Sequence, residues 1–172
     1  RMESGSVAVK REPVELSALI ERQLALDAPL LEQRNQRLVK DLTPGIVVIG
    51  DASLLGRVAG NLLSNASLYS PEGAEVRVWC GLLDGRLALT VENTGAHISE
   101  KALPHLFEAF YREETSRNRA TGGSGLGLYL VKMILARHGA ECTIENTRDG
   151  VRAAVRFETD AVSGLAAGDM IG

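Results

Sequence analysis

A glycine-rich segment of this sequence has the composition of a phosphate-binding loop. The segment GGSGLGL runs from Gly122 to Leu128 and leads into YLVKMILARHG, which has the pattern of a helix. Backbone N–H groups of such a loop, with the amino end of the following helix, stabilise anions without a charged side chain. The loop lacks the Gly-Lys-Ser/Thr sequence of a P-loop and the strand–helix–strand surroundings of a dinucleotide fingerprint. By itself it predicts either a phosphate site or an ordinary linking loop.

Two asparagines form a second group that is suited to phosphate chemistry. Asn61 and Asn65 stand four residues apart in a segment of helical period, so they share one face of a helix. Asparagine is a poor helix former, and two on one stripe call for a reason. One explanation is a solvated face. The other is a pair of amide oxygens offered to Mg²⁺, which accepts such ligands and bridges to substrate phosphates.

A third polar group closes a predicted strand in the segment VENTGAHI. The sequence Asn93-Thr94-Gly95 has turn composition, which alone predicts only a strand exit. As part of a site, Asn93 would offer a side-chain acceptor to a base. Gly95 would let a ligand come close to the backbone.

Hydrophobic period predicts the elements that must position these residues. Helical spacing predicts a helix over Val14–Gln33, a second from the N-cap Asp51 to the breaker SPEG, and a third from the glycine loop to Arg137–Gly139. Strand-like runs are found at Arg37–Leu42, Ile46–Ile49, 75–82 and 86–93, and a last hairpin at 141–158.

Turn sequences separate the predicted strands. Thr43-Pro44-Gly45 joins the first two strands, and Asp84-Gly85 and Asp149-Gly150 are hairpin signals. Residues 98–110 predict one or two short helices. This order favours an α+β fold in which one mixed, mostly antiparallel sheet carries helices on one face.

Composition narrows the classes of partner. The chain has 172 residues, enough for one domain with a real core, and 45% of them are hydrophobic. A net charge of −3 argues against nucleic acid, because phosphate backbones call for a basic face. No apolar run approaches the ~20 residues of a membrane helix, so we expect no direct membrane contact by this segment. Cys80 and Cys142 lie far apart and predict buried or idle thiols.

Taken in order, the motifs resemble those of a known family. NLLSNASLYSPEG, VENTGAHI, FEAF and GGSGLGLYLVK resemble the N, G1, F and G2 boxes of the histidine-kinase ATP-binding domain, over roughly Val14 to Phe157. The resemblance implies the Bergerat fold, a two-layer α/β sandwich, and binding of ATP with Mg²⁺. It also implies a linker over 1–12, an ATP-binding domain over 13–158 and a flexible tail over 159–172.

The resemblance assigns roles by position. It implies that Asn65 coordinates Mg²⁺ between the phosphates and that Asn61 lies near the phosphates. It implies that Tyr69 packs on the adenosine, that Asn93 accepts a hydrogen bond from the adenine amino group, and that Gly95 lies beneath the base. The other nucleotide-binding positions that it implies are Ile98, Arg112, Gly123, Ser124, Gly125, Leu126 and Gly127.

A lid is implied over residues 112–121. Phe107 and Phe110 resemble the F-box anchors that hinge such a lid. The arginines at 112, 117 and 119 are either phosphate contacts or solvated loop charges.

The sequence departs from the family pattern at two places. The G1 box normally reads Asp-x-Gly-x-Gly, but here Asn93 replaces the acid and His97 replaces the second glycine. A neutral hydrogen bond is weaker than a charge-assisted one by about 1 kcal/mol. Leu68 stands where relatives often carry a basic residue. The Asn-Thr-Gly variant is similar to that of sensor kinases controlling vancomycin-type glycopeptide resistance.

Phosphoryl transfer is favoured over hydrolysis. Gyrase-type and chaperone ATPases of this fold place a glutamate four residues before the Mg²⁺ asparagine, where this chain has Asn61, which cannot take a proton at neutral pH. None of His97, His105 and His138 lies in the H-E-x-x-x-P setting of the family's phosphoacceptor. The resemblance therefore implies an acceptor histidine on an upstream dimerisation domain, a response regulator as partner, and a location as the cytoplasmic part of a bacterial membrane protein.

Two alternatives stay open at this point. One is an anti-sigma-factor type serine kinase, which would require this chain to be complete. The other is a degenerate nucleotide-binding domain without catalytic activity, which Leu68 and the altered G1 box favour.

Overall fold

A five-stranded sheet with helices packed on one face forms the protein in the computed structural model, which describes residues 8–111 and 127–158. The helices are α1 Leu16–Gln33, α2 Ala52–Tyr69 and α3 Gly127–Ala136. The strands are β1 Glu12–Glu15, β2 Arg37–Leu42, β3 Val47–Gly50, β4 Glu75–Leu83, β5 Arg86–Thr94, β6 Ala140–Asn146 and β7 Gly150–Phe157. The predicted α+β sandwich is confirmed.

The strand order in the main sheet is β2-β4-β5-β7-β6. The β2–β4 pair is parallel and the other three pairs are antiparallel, so the sheet is mixed and mostly antiparallel as predicted. The Asp84-Gly85 turn is also confirmed, since both residues have positive φ angles, of 53° and 81°.

The turn Thr43-Pro44-Gly45 joins β2 to β3 as predicted, but the two strands lie in different sheets. β2 joins the main sheet beside β4, whereas β3 pairs with β1 in a separate two-stranded sheet. Because β1 is only four residues long, its sequence carries too little alternation to predict a strand, and the predicted helix over Val14–Gln33 absorbed its end. The sequence pattern alone therefore did not identify β1 as the partner strand of β3.

The segment after β5 forms less helix than predicted. It contains a single 3₁₀ turn, Leu103–His105, in place of one or two short helices. Pro104 lies in the first turn, where its ring is tolerated, but the segment is too short to extend beyond one turn.

Helix α2 lies in the middle of the helical layer and contacts both α1 and α3. The predicted N-cap is confirmed, because the Asp51 Oδ1 accepts a hydrogen bond from the Leu54 N–H at 3.1 Å. The helix ends at Tyr69, before Ser70 and Pro71. Its buried face packs on the sheet through apolar residues at helical spacing, namely Leu55, Val58, Ala59, Leu62, Leu63 and Ala66.

The helix-facing side of the sheet follows strand alternation. On β5, Leu89, Val91 and Asn93 point to this side, and each is at most 5% exposed. The first two belong to the hydrophobic core, but the third brings an amide into the same apolar layer. The fold thus buries a polar side chain where β5 ends.

Candidate nucleotide-binding site

A cavity of about 180 Å³ lies between α2 and the sheet, beside the loop that follows β5. Its volume is below the ~300–1,000 Å³ of typical pockets for whole ligands, so it suits a flat ring system better than a complete nucleotide. Its walls are mainly apolar, with contributions from Leu62, Ala66, Val91, Ile98, Ile144, Val151 and Ala153. The polar side chains that line it are Asn65, Tyr69, Asn93 and His97.

Asn93 is the buried polar residue among these lining residues. Asn93 is 5% exposed, and its Nδ2 is a buried nitrogen with no hydrogen-bond partner among the residues that the structure describes. A buried donor without a partner costs about 1–3 kcal/mol, and most buried polar groups in folded proteins are paired. A ligand in the cavity that accepts a hydrogen bond from Nδ2 would remove this cost. The arrangement fits a ring that carries hydrogen-bonding groups on one edge.

Helix α2 contributes a polar stripe to the same region. Asn65 and Tyr69 line the cavity, and the Tyr69 ring is 42% exposed, so it stands at the rim. Asn61, one turn earlier, lies beside the start of α3, since a Cβ built on Gly127 would be 3.7 Å from its Oδ1. The amide stripe and the amino end of α3 therefore converge at one end of the cavity.

The loop after β5 forms another wall. Gly95 has a φ of +92°, and a Cβ there would lie 2.7 Å from the Pro71 Cγ, so only glycine fits. Gly95 does not itself line the cavity, whereas Ala96, His97 and Ile98 do. The close approach that Gly95 permits is thus to Pro71 at the end of α2, which ties this loop to the helix.

Asn146 holds the same loop from the opposite side, although reasoning from the sequence did not identify this residue. Its Oδ1 accepts from the Ile98 N–H and its Nδ2 donates to the Ile98 carbonyl, both at 2.8 Å. The His97 Nε2 lies 2.9 Å from the Thr147 carbonyl. The side chain at the altered second glycine position of the G1 box therefore fastens the loop to the β6–β7 hairpin.

The carboxyl end of α2 is fixed by two side chains that precede β2. Gln36 donates from Nε2 to the Ser67 carbonyl at 3.0 Å and accepts from the Ser67 Oγ at 2.6 Å. Arg34 donates to the Ser70 carbonyl at 2.7 Å. These bonds satisfy helix carbonyls that would otherwise lack partners, and they hold the turn that carries Tyr69.

The amino end of α2 is fixed by a buried histidine. The Asp51 N–H donates to the His138 Nε2 at 3.1 Å, so Nδ1 carries the proton and donates to the Ile134 carbonyl at 2.9 Å. Burial tends to raise the pKa of the Asp51 carboxyl, but hydrogen bonds from the Lys10, Leu54 and Ser53 backbones outweigh it and lower the pKa below the ordinary 3.8. The capping carboxylate is therefore ionised at neutral pH.

The remaining predicted site residues lie elsewhere or beyond the described ranges. Arg112, Gly123, Ser124, Gly125 and Leu126 lie outside the described residues, as does the whole of the expected lid over 112–121. Of the two phenylalanines expected to anchor that lid, Phe107 is half-buried and Phe110 is 71% exposed.

The sequence did not identify several apolar walls of the cavity. Leu128, Ile144, Val151 and Ala153 line it from α3, β6 and β7. Strand alternation predicts that residues at the last three positions face the helices. It does not predict that they reach a cavity, because that depends on the register of β7 against β5.

The fold is a two-layer α/β sandwich with a cavity between the layers. Residues 50–162 match the family model described as histidine kinase-, DNA gyrase B- and HSP90-like ATPase. The sensor protein VanSB of Enterococcus faecalis is 35% identical over 150 residues, which is 87% of this chain and 34% of that protein. The sensor histidine kinase CusS of Escherichia coli is 42% identical over 105 residues, which is 61% of this chain and 22% of that protein.

Solved structures agree with these matches. The mycobacterial sensor histidine kinase MprB superposes with a TM-score of 0.77 at 30% identity, over 85% of this chain and 97% of that chain. The catalytic domain of histidine kinase ThkA superposes with a TM-score of 0.76 at 20% identity, over 86% of this chain and 95% of that chain, and supports the fold alone.

The chain belongs to the family of histidine kinase-, DNA gyrase B- and HSP90-like ATPases and is an ATP-binding domain of the histidine-kinase type. It spans about a third or less of the length of the curated relatives described above. Within residues 8–111 and 127–158, no helix has both the length and the apolar character needed to cross a membrane.

Proposed function

We propose that this chain is the catalytic domain of a two-component sensor histidine kinase and transfers the γ-phosphate of ATP to a histidine outside this sequence. The observation that carries the proposal is the unpartnered amide of Asn93 in a mainly apolar cavity that also receives Asn65 and Tyr69. Adenine offers flat apolar faces and a hydrogen-bonding edge, and the cavity is complementary to both.

The base would be held by three kinds of contact. Asn93 accepts from the adenine amino group, and apolar side chains such as Val91 and Ile98 cover the ring faces. Tyr69 at the rim packs against the adenosine. The positions of these four side chains around one cavity support the assigned roles.

The phosphates would lie towards Asn61, Asn65 and the start of α3. Asn65 would supply an amide oxygen to Mg²⁺, whose other ligands are phosphate oxygens and water. The N–H groups at the amino end of α3, beside Asn61, favour negative charge there. Asn65 would hold the Mg²⁺, which when bound would supply positive charge that stabilises the phosphates.

Transfer to a protein acceptor suits this site better than hydrolysis does. The amide of Asn61 stands where a general base would be needed, and it cannot remove a proton from water. The acceptor would be a histidine on a dimerisation domain, with residues 1–12 as the linker, 13–158 as the catalytic domain and 159–172 as a tail. A response regulator would receive the phosphate next, and the whole kinase would lie at a bacterial membrane with this domain in the cytoplasm.

Calorimetric titration with Mg·ATP tests the site. We expect the wild type to bind Mg·ATP. We expect the Asn65→Ala variant to lose the Mg²⁺-dependent part of this binding, while its far-ultraviolet circular dichroism spectrum stays unchanged. Ser64→Ala is the matched control, because Ser64 is the neighbouring half-buried residue of α2 and does not line the cavity. Equal affinities for the two variants would remove Asn65 from the metal role.

Radiolabelled ATP tests the reaction. The chain is mixed with the histidine-bearing segment of its longer gene product, and acid-labile phosphate on that segment is the expected result. Binding of ATP without transfer would support the second candidate function, a nucleotide-binding domain without catalytic activity. The residues that favour this candidate are Leu68 and the neutral Asn93.

A further inference from the structure

The side-chain amide of Asn93 is not fixed in one orientation. Within the described residues no hydrogen bond holds this amide, and its Nδ2 is both buried and unpartnered. Asn146 provides the contrast, because the Ile98 N–H and carbonyl determine which end of its amide is oxygen. Turning the Asn93 amide over therefore breaks no hydrogen bond to a described residue, whereas turning the Asn146 amide over would break two.

An amide that can turn over is complementary to two kinds of purine. Adenine presents an amino donor beside a ring nitrogen that accepts. A 6-oxopurine presents a carbonyl acceptor at the first position and a ring N–H donor at the second. Asn93 pairs with adenine through Oδ1 and Nδ2, and with a 6-oxopurine through the same two atoms exchanged. A carboxylate has two acceptors and no donor, so it cannot serve the 6-oxo group.

The walls that β5 and β7 contribute beside Asn93 do not oppose this exchange. The residues that share the cavity with Asn93 on β5 and β7 are Val91, Val151 and Ala153, which form no hydrogen bonds with their side chains. Hypoxanthine has the same ring system as adenine and adds no group at the neighbouring carbon, so it requires no more space. Discrimination between the two bases therefore depends on the hydrogen-bonding edge.

We propose that Asn93 makes this site a receptor for purine nucleoside triphosphates of both kinds, 6-amino and 6-oxo, so that ITP binds alongside ATP. The proposal rests on the proposed nucleotide function and defines its substrate class. ITP is the appropriate probe, because GTP also adds a 2-amino group and would mix a steric effect with the effect of hydrogen bonding.

Binding of Mg·ATP and Mg·ITP is measured by calorimetry at pH 8 for the wild type and for Asn93→Asp. We expect the wild type to bind ITP within tenfold of its affinity for ATP. We expect Asn93→Asp to increase the preference for ATP at least tenfold further, because a carboxylate oxygen then faces the 6-oxo group without a proton between them. Ser64→Ala is the control, since Ser64 does not line the cavity and its replacement should leave both affinities and their ratio unchanged.

The outcomes distinguish a failure of this inference from a failure of the proposed function. A wild type that binds ATP but binds ITP more than tenfold weaker overturns the inference and leaves the proposed function in place. A wild type that binds neither nucleotide overturns the proposed function itself. An unchanged ratio in a folded Asn93→Asp variant shows that Asn93 does not read the base. Asn93→Leu, which removes both hydrogen bonds, should weaken ATP and ITP alike, and loss of one alone would also contradict the inference.

Discussion

Replacing Gly95 by alanine tests whether the loop after β5 is held against α2 by close packing. The new methyl group would lie 2.7 Å and 2.8 Å from the Pro71 Cγ and Cδ, closer than carbon atoms normally approach. Pro71 has little freedom to move away, because its carbonyl accepts from the Gln36 Nε2 at 3.1 Å and from the Ala74 N–H at 3.2 Å. The contact must therefore be relieved by distorting the loop.

The expected loss of stability has two parts. Alanine at a φ of +92° costs about 1–2 kcal/mol, since its Cβ disfavours the left-handed region. Forcing a methyl group into occupied space adds about 1–3 kcal/mol. Gly85→Ala is the matched control, because Gly85 has a similar φ of +81° but a Cβ there would meet nothing within 4 Å.

Urea unfolding followed by the fluorescence of the single tryptophan, Trp79, measures both variants. We expect Gly95→Ala to lower the free energy of unfolding by about 1–3 kcal/mol more than Gly85→Ala does, the difference being the packing against Pro71. Equal losses in the two variants would refute the packing argument and reduce Gly95 to an ordinary turn glycine.

Three further predictions concern separate features. Asp51→Ala should lower the free energy of unfolding by about 1–2 kcal/mol at pH 7. Because the pKa of Asp51 in the folded chain lies below the ordinary 3.8, the difference in stability between wild type and variant should shrink only as the pH falls below that value in acid denaturation. Burial raises the pKa of Cys80 to about 11 and that of the half-buried Cys142 to about 12, so a thiol reagent at pH 8 should modify the chain slowly until urea is added. Rapid modification of the folded chain would contradict these raised pKa values. Asn146→Ala removes two neutral hydrogen bonds of about 0.5–1.5 kcal/mol each to Ile98, so ATP affinity in calorimetry should fall several-fold, and an unchanged affinity would show that the loop keeps its shape without them.

Features that depend on neighbouring residues were predictable from the sequence. The cap at Asp51, the end of α2 at Tyr69 and the turn at Asp84-Gly85 all follow from local chemistry, and the structure contains each of them. Helical period also predicted that Asn61 and Asn65 share a face. The site residues on α2 could therefore be chosen before the fold was known.

Features that depend on distant residues could not be predicted in this way. The partner of Asn146 is 48 residues away, and an asparagine at the end of a strand ordinarily indicates a turn. The pairing of β3 with β1, rather than with β2, likewise depends on where the chain returns after α1. Such contacts are fixed by the packing of the sheet, which a single sequence with its local periods does not reveal.

The unpartnered amide of Asn93 implies a trade-off between the thermal stability of the ligand-free domain and the binding of a base. An apolar side chain of similar size at this position would remove a buried donor that lacks a partner, so Asn93→Leu should unfold at a higher temperature than the wild type in the absence of nucleotide. The same variant would be blind to the edge of the base. The natural domain thus has a lower thermal stability without nucleotide, and in return its buried amide can form hydrogen bonds with the polar edge of a purine.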